Sequence, residues 1–184
     1  MSIVAEKSVT TGIPAGTCSI DPVWSALEFE VKKVGIIPIK GRVPGFAGTI
    51  QGGEQPSIDG TVDVSSITTF DETRDGHLQA PDFFDTQRYP ELRFESTTVE
   101  TQGDELIVKG DLTIKGTTKP VDLKGSFLGS LVDPSGNDRI GVELAGTIDR
   151  TDFNLNWNAP LPGGGFLLPN EVGLKASFAA VRAA

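Results

Sequence analysis

The sequence predicts an all-β protein, a single antiparallel eight-stranded barrel with one or two short helices. Apolar residues alternate with polar ones along most of the chain, the period-2 mark of strands with one face in a core. Tight-turn sequences such as Gly103-Asp104 and Asp133-Pro134-Ser135-Gly136 separate the runs, so successive strands become antiparallel neighbours. Glycine is abundant, at 22 residues, and methionine occurs once, which suits strands and turns better than a helical bundle. One-sided amphipathicity over so many strands needs a closed barrel or a two-sheet sandwich. Several runs reach about ten residues, longer than the common strand, and that favours the barrel.

The elements follow in order. Residues 1–15 lack periodicity and read as a flexible arm, leaving 16–184 as the barrel domain. Thr17 to Asp21 is β-prone and stops at the Asp21-Pro22 turn signal. Leu27, Phe29 and Val31 then alternate with Glu28, Glu30 and Lys32. Pro38 interrupts Ile36 to Lys40, which suits an edge, and Gly41 to Gln51 reads as a strand bent at Pro44-Gly45. Ile58, Gly60, Val62 and Val64 share the next face. From Thr68 to Pro90 the alternation breaks. It resumes with Leu92 and Phe94, then Leu106, Val108, Gly110, Leu112 and Ile114. After the Lys115–Thr118 turn come Val121, Leu123, Gly125 and Phe127, then Ile140, Val142, Leu144, Gly146 and Ile148. An irregular stretch from Asp149 to Pro169 leads into Val172, Leu174, Ala176, Phe178 and Ala180.

The formal net charge of −9 argues against a nucleic-acid partner, because phosphate binding draws on clustered Lys and Arg. A lone Cys18 rules out an intrachain disulfide and a multi-cysteine metal site; it reads as a small buried residue near the first strand. No stretch reaches transmembrane length and the first residues hold no signal-like apolar run. The expectation is a soluble protein of the reducing cytoplasm.

Gly60, Gly110, Gly125 and Gly146 fall in mid-strand on apolar faces, where Val or Ile would pack better. They read either as barrel corners or as volume left open. In the second case a tunnel lined by Leu, Val, Ile and Phe, among them Phe29, Val62, Phe94, Leu112, Phe127 and Leu144, holds an apolar molecule and carries no group to act on it.

The order of motifs resembles that of the YceI-like family, lipocalin-like β-barrels associated with polyisoprenoid binding. The matching residues include Ile20-Asp21-Pro22, Ser66-Ile67-Thr68-Thr69, Arg74-Asp75-Gly76-His77-Leu78, Asp82-Phe83-Phe84-Asp85, Tyr89-Pro90, Phe94-Glu95-Ser96-Thr97, Gly110 through Val121, and Arg150-Thr151-Asp152-Phe153. The resemblance implies a barrel open at one end, threaded by an isoprenoid lipid such as a quinone tail or polyprenyl phosphate, and a possible homodimer. Many family members carry a secretory signal; none is expected here from the first residues.

With that ligand class in view, Arg74 and His77 are expected at the mouth, where Arg suits a phosphate and His a quinone carbonyl. Asp75 accompanies them, and Thr73 is expected to cap a short helix. Of the adjacent Phe83 and Phe84, one is expected to plug the barrel end. Trp157, Phe166 and Leu167 belong to the opposite lip, with Phe153 nearby. A triad of His77 with Asp71 or Asp75 has no nucleophile-elbow pattern behind it, and the acidic cluster lacks calcium-loop spacing. No catalytic or metal-binding residue is expected, and no cofactor beyond the lipid. The leading expectation is a non-enzymatic carrier or store. The alternative is an interaction module whose barrel is filled by side chains.

Overall fold

The computed structural model describes residues 12–183. Ten strand segments alternate along the chain: β1 (Gly16–Ile20), β2 (Ala26–Lys33), β3 (Ile37–Arg42), β4 (Phe46–Gly52), β5 (Ser57–Asp63), β6 (Glu91–Gln102), β7 (Glu105–Ile114), β8 (Thr117–Val132), β9 (Asp138–Asp149) and β10 (Glu171–Arg182). Helix α1 (Glu72–Gln79) bridges β5 and β6, and 3-10 turns cover Val64–Ser66 and Arg150–Phe153. All pairings are antiparallel.

Ten segments make eight positions in the ring. Strand β10 pairs with β2 through Gly173–Ser177 and with β1 through Ala180–Arg182, so β1 and β2 are one staved position broken at Asp21–Ser25. Likewise β3 pairs with β2, and β4 with β1, giving a second position broken at Val43–Gly45. The break at Pro44-Gly45 was legible in the sequence; that at Asp21-Pro22 was legible as a turn. The β1–β10 pairing closes the ring.

Pro38 lies in β3, whose only continuous ladder is with β2. Its other side meets Thr68 through a single bridge to Arg42. A proline is tolerated there because no ladder bond is lost.

Strand directions divide the barrel into two ends. The β4–β5, β6–β7 and β8–β9 turns and the end of β10 gather at the lower end. The β2–β3 turn, α1 with its flanks, the β7–β8 turn and the β9–β10 connection gather at the upper end. The lower half is filled by a cluster including Cys18, Ile50, Leu106, Val108, Val142 and Ala180. Cys18 is buried as expected, and burial pushes its thiol pKa up.

The arm expected over 1–15 lies mostly outside the described residues. At its end Ile13 packs in the lower cluster and its carbonyl accepts from Gly53 N at 3.3 Å. No helix among the described residues is long and apolar enough to cross a membrane.

Candidate functional site

The upper half of the barrel is hollow. A cavity of about 620 Å³ runs from a floor of Ile20, Ile58, Leu144 and Ala176 up to the elements of the upper end. Its size lies within the range of small-molecule sites, about 300–1,000 Å³. The barrel expected as either filled or hollow is therefore filled below and open above.

The four mid-strand glycines divide between the two readings. Gly60 lines the cavity and also lets β5 approach β4, since a side chain there would come within 3.0 Å of the Ala47 carbonyl. At Gly110 a side chain would collide with the Phe94 ring, which occupies that space. At Gly125 and Gly146 it would meet the Glu143 and Asp122 carbonyls of the adjoining strands. These last three serve close packing rather than open volume.

Of the residues expected at the ligand, Phe29, Val62, Arg74, His77, Phe83, Phe84, Phe94, Leu112, Leu144 and Trp157 line the cavity. Asp75, Phe127 and Phe153 do not. Phe127 packs against the lower cluster, because it sits beyond the cavity floor along β8. Phe153 is buried with Leu112, Ile114, Val121 and Leu155 beside the wall. Phe166, expected at the lip, is 64% exposed.

Asp75 acts behind the wall. Its Oδ1 accepts from Thr69 N at 2.7 Å and Thr69 Oγ1 at 2.6 Å, while Arg74 donates from Nε to the same Oγ1 at 2.7 Å and from Nη2 to the Thr69 carbonyl at 2.9 Å. Burial pushes the Asp75 carboxyl upward, but the Thr69 and Thr68 hydrogen bonds and the Arg74 charge outweigh it and hold the pKa below its ordinary value. The helix cap is Asp71 rather than Thr73. Its side chain accepts from Arg74 N at 2.9 Å, and Thr73 falls inside the first turn, facing the cavity. An Asp cap satisfies one of the free N–H groups of the helix start.

His77 is fixed from three sides. Its Nε2 donates to Asp82 Oδ2 at 2.8 Å, and that bond lowers the Asp82 pKa. Its ring stands edge-on to Phe83 and Trp157, at 4.9 and 4.7 Å between centroids, so Trp157 joins the His77 side of the mouth rather than the opposite lip. The carboxylate partner is thus Asp82, not the Asp71 or Asp75 that adjacency would supply. Phe83 and Phe84 lie in a turn rather than an extended segment, so both reach the cavity.

Arg150 has no counterpart among the expected residues. It is buried, lines the cavity, and donates from Nε to the Pro169 carbonyl at 2.8 Å and from Nη1 to the Leu155 and Trp157 carbonyls. Burial lowers its pKa, which still leaves a guanidinium charged. It pins the upper-end loop to the barrel wall. Neither Arg74 nor Arg150 enters a direct ion pair among the described residues, although Asp75 and Asp149 lie close enough to act on them, so both present a guanidinium at the cavity wall. Only its place in the Arg150–Phe153 motif marked this residue in the sequence.

A YceI-like domain model matches residues 19–180. Protein YceI of Escherichia coli O157:H7 is 38% identical over 133 residues, 70% of each chain. Among solved structures, Burkholderia cenocepacia BcnA superposes with a TM-score of 0.75 at 22% identity, covering 88% of this chain and 99% of its own. A polyisoprenoid binding domain from Saccharophagus degradans, implicated in plant cell wall breakdown, gives 0.69 at 17% identity, covering 92% and 100%. Both share the fold.

Proposed function

This chain belongs to the YceI-like family, and we propose that it holds and carries an amphiphilic isoprenoid lipid without acting on it chemically. The observation that carries this reading is the cavity itself, closed below by packed side chains and walled by Leu, Val, Ile and Phe. Burying an alkyl chain there gains about 0.8 kcal/mol per CH₂. The fold neighbour described as polyisoprenoid binding supports the ligand class.

The charged and hydrogen-bonding groups of the upper wall suit the polar head. Arg74 and Arg150 favour a phosphate, and the edge-on cluster of Phe83, His77 and Trp157 suits a flat quinone ring as well. The filled-barrel alternative loses its premise in the upper half of the molecule.

Native mass spectrometry of protein purified from its own host, followed by solvent extraction, tests the reading. The expected result is a single class of isoprenoid lipid in stoichiometric amount. Recovery of no lipid, together with failure of the stripped protein to take up a polyprenyl phosphate or an isoprenoid quinone, overturns it.

A further inference from the structure

The upper rim is asymmetric in a way that lipid storage does not require. On one side stand α1 and its flanks, with Asp71, Glu72 and Asp82 exposed alongside Phe70 and the Asp85-paired Arg88. On the other stands the β2–β3 hairpin, joined by a hydrogen bond from Val34 N to the Leu167 carbonyl at 2.9 Å to the far end of the β9–β10 loop, whose Trp157 reaches across to His77 on the α1 side. In a chain of net charge −9, residues 31–42 contain four cations and no acid, and residues 154–170 contain no charge at all.

Apolar side chains stand out from this neutral-to-cationic side. Ile36 is 78% exposed and Ile37 52%, beside the exposed Phe166. Lys40 and Arg42 pair with Glu30 and Glu28, whereas Lys32 and Lys33 enter no ion pair among the described residues. The hairpin turn itself is chosen against local preference. Val34 and Gly35 both have positive φ, +49° and +76°, a turn that Asn-Gly fills without strain and that a β-branched residue does not. Yet Val34 belongs to none of the buried clusters and is 37% exposed.

The same two segments line the cavity through Val31, Lys33, Ile39, Trp157, Leu167 and Leu168, so the apolar rim is continuous with the apolar interior. Exposed apolar groups flanked by unpaired lysines match the interface of a bilayer with anionic headgroups.

We propose that the β2–β3 tip and the β9–β10 loop dock this barrel onto an anionic lipid bilayer. Ile36, Ile37 and Phe166 enter the headgroup region and Lys32 and Lys33 meet lipid phosphates. The acidic α1 side is repelled, which tilts the mouth so that the hairpin and loop face the membrane.

The test is flotation of the full chain with phosphatidylcholine vesicles, with and without phosphatidylglycerol, none containing an isoprenoid. Binding is expected only with phosphatidylglycerol and weakens as salt rises. Lys32→Ala with Lys33→Ala lowers partitioning about thirtyfold at low ionic strength. Ile36→Asp with Phe166→Asp abolishes it, while Val34→Asn weakens it and leaves thermal melting unlowered. Leu131→Asp with Val132→Asp, on exposed residues at the lower end, leaves it intact.

No flotation of the wild type, or loss only with the lower-end pair, overturns the proposal. So does a dimer that Ile36→Asp converts to monomer without any vesicle binding. Uptake of lipid from detergent, measured on Ile36→Asp with Phe166→Asp, whose residues do not line the cavity, reads the cavity separately from the rim.

Discussion

At the scale of single residues, the cavity wall and the groups around its rim make separable contributions. Val62→Trp puts bulk into empty space rather than into a packed core, so lipid stoichiometry should fall sharply while the urea midpoint holds or rises. Gly110→Val puts bulk into a packed site instead. It forces the Phe94 ring and the Glu95 carbonyl apart and should cost about 1–3 kcal/mol in urea unfolding. Phe94 itself faces the cavity, so the displaced ring should lower lipid uptake along with stability, whereas Val62→Trp lowers uptake alone. Arg74→Gln removes a charge-assisted donor worth about 1.5–3 kcal/mol to an anionic head. Affinity for a polyprenyl phosphate should therefore drop roughly tenfold or more, with little change for the uncharged polyprenol, in a competition assay.

At the scale of elements, the interruption between β1 and β2 is held by charge. Arg139 on β9 donates from Nε to Asp133 at 2.6 Å and from Nη1 to Asp21 at 2.8 Å, and its guanidinium lies 4.1 Å from the Trp24 ring centroid. One arginine thereby ties the Asp21–Ser25 break to the β8–β9 hairpin. Its hydrogen bond is the chief cause that holds both carboxyls below their usual range. A depressed folded-state pKa stabilises the protein above the ordinary carboxylate value near pH 4, and that contribution disappears as pH falls through the lower folded value. Asp133→Asn should accordingly lower the urea midpoint at pH 7. Its deficit against the wild type should begin to shrink as pH falls below about 4, where the unfolded chain takes up the proton first, and should be gone once pH is below the folded-state value. A deficit constant from pH 7 to pH 2 would contradict this role.

At the scale of the whole molecule, a filled lower half beneath a hollow upper half makes stability uneven. Amide exchange should be slowest around Ile50, Val108 and Val142 and fastest in the β2–β3 hairpin, whose outer strand has a continuous partner on one side only. A lipid that binds the folded barrel alone should raise stability by about 2.7 kcal/mol at a hundredfold excess over its Kd. Protection should then spread into the upper half, read by exchange with and without ligand.

Local alternation by itself determined the strands, the turns and the barrel class, because a strand's facing is written in neighbouring residues. It also separated Thr68–Pro90 as the segment that is not strand, and the order of motifs along the chain identified the family. Tertiary structure alone decided the rest. Phe127 shares the inward alternation of Val121 and Leu123 but lies below the cavity floor, since a face does not tell how deep along the barrel it falls. Gly110 reads like Gly60 in sequence, yet Gly60 lies at the cavity while the Phe94 ring and the Glu95 carbonyl of β6 fill the space at Gly110. Asp71 displaced Thr73 as the helix cap, and Arg150 became part of the wall, because each position depends on where the backbone turns. Whether an apolar face closes on itself or leaves room for a ligand is a property of eight facing strands together, and no one strand carries it.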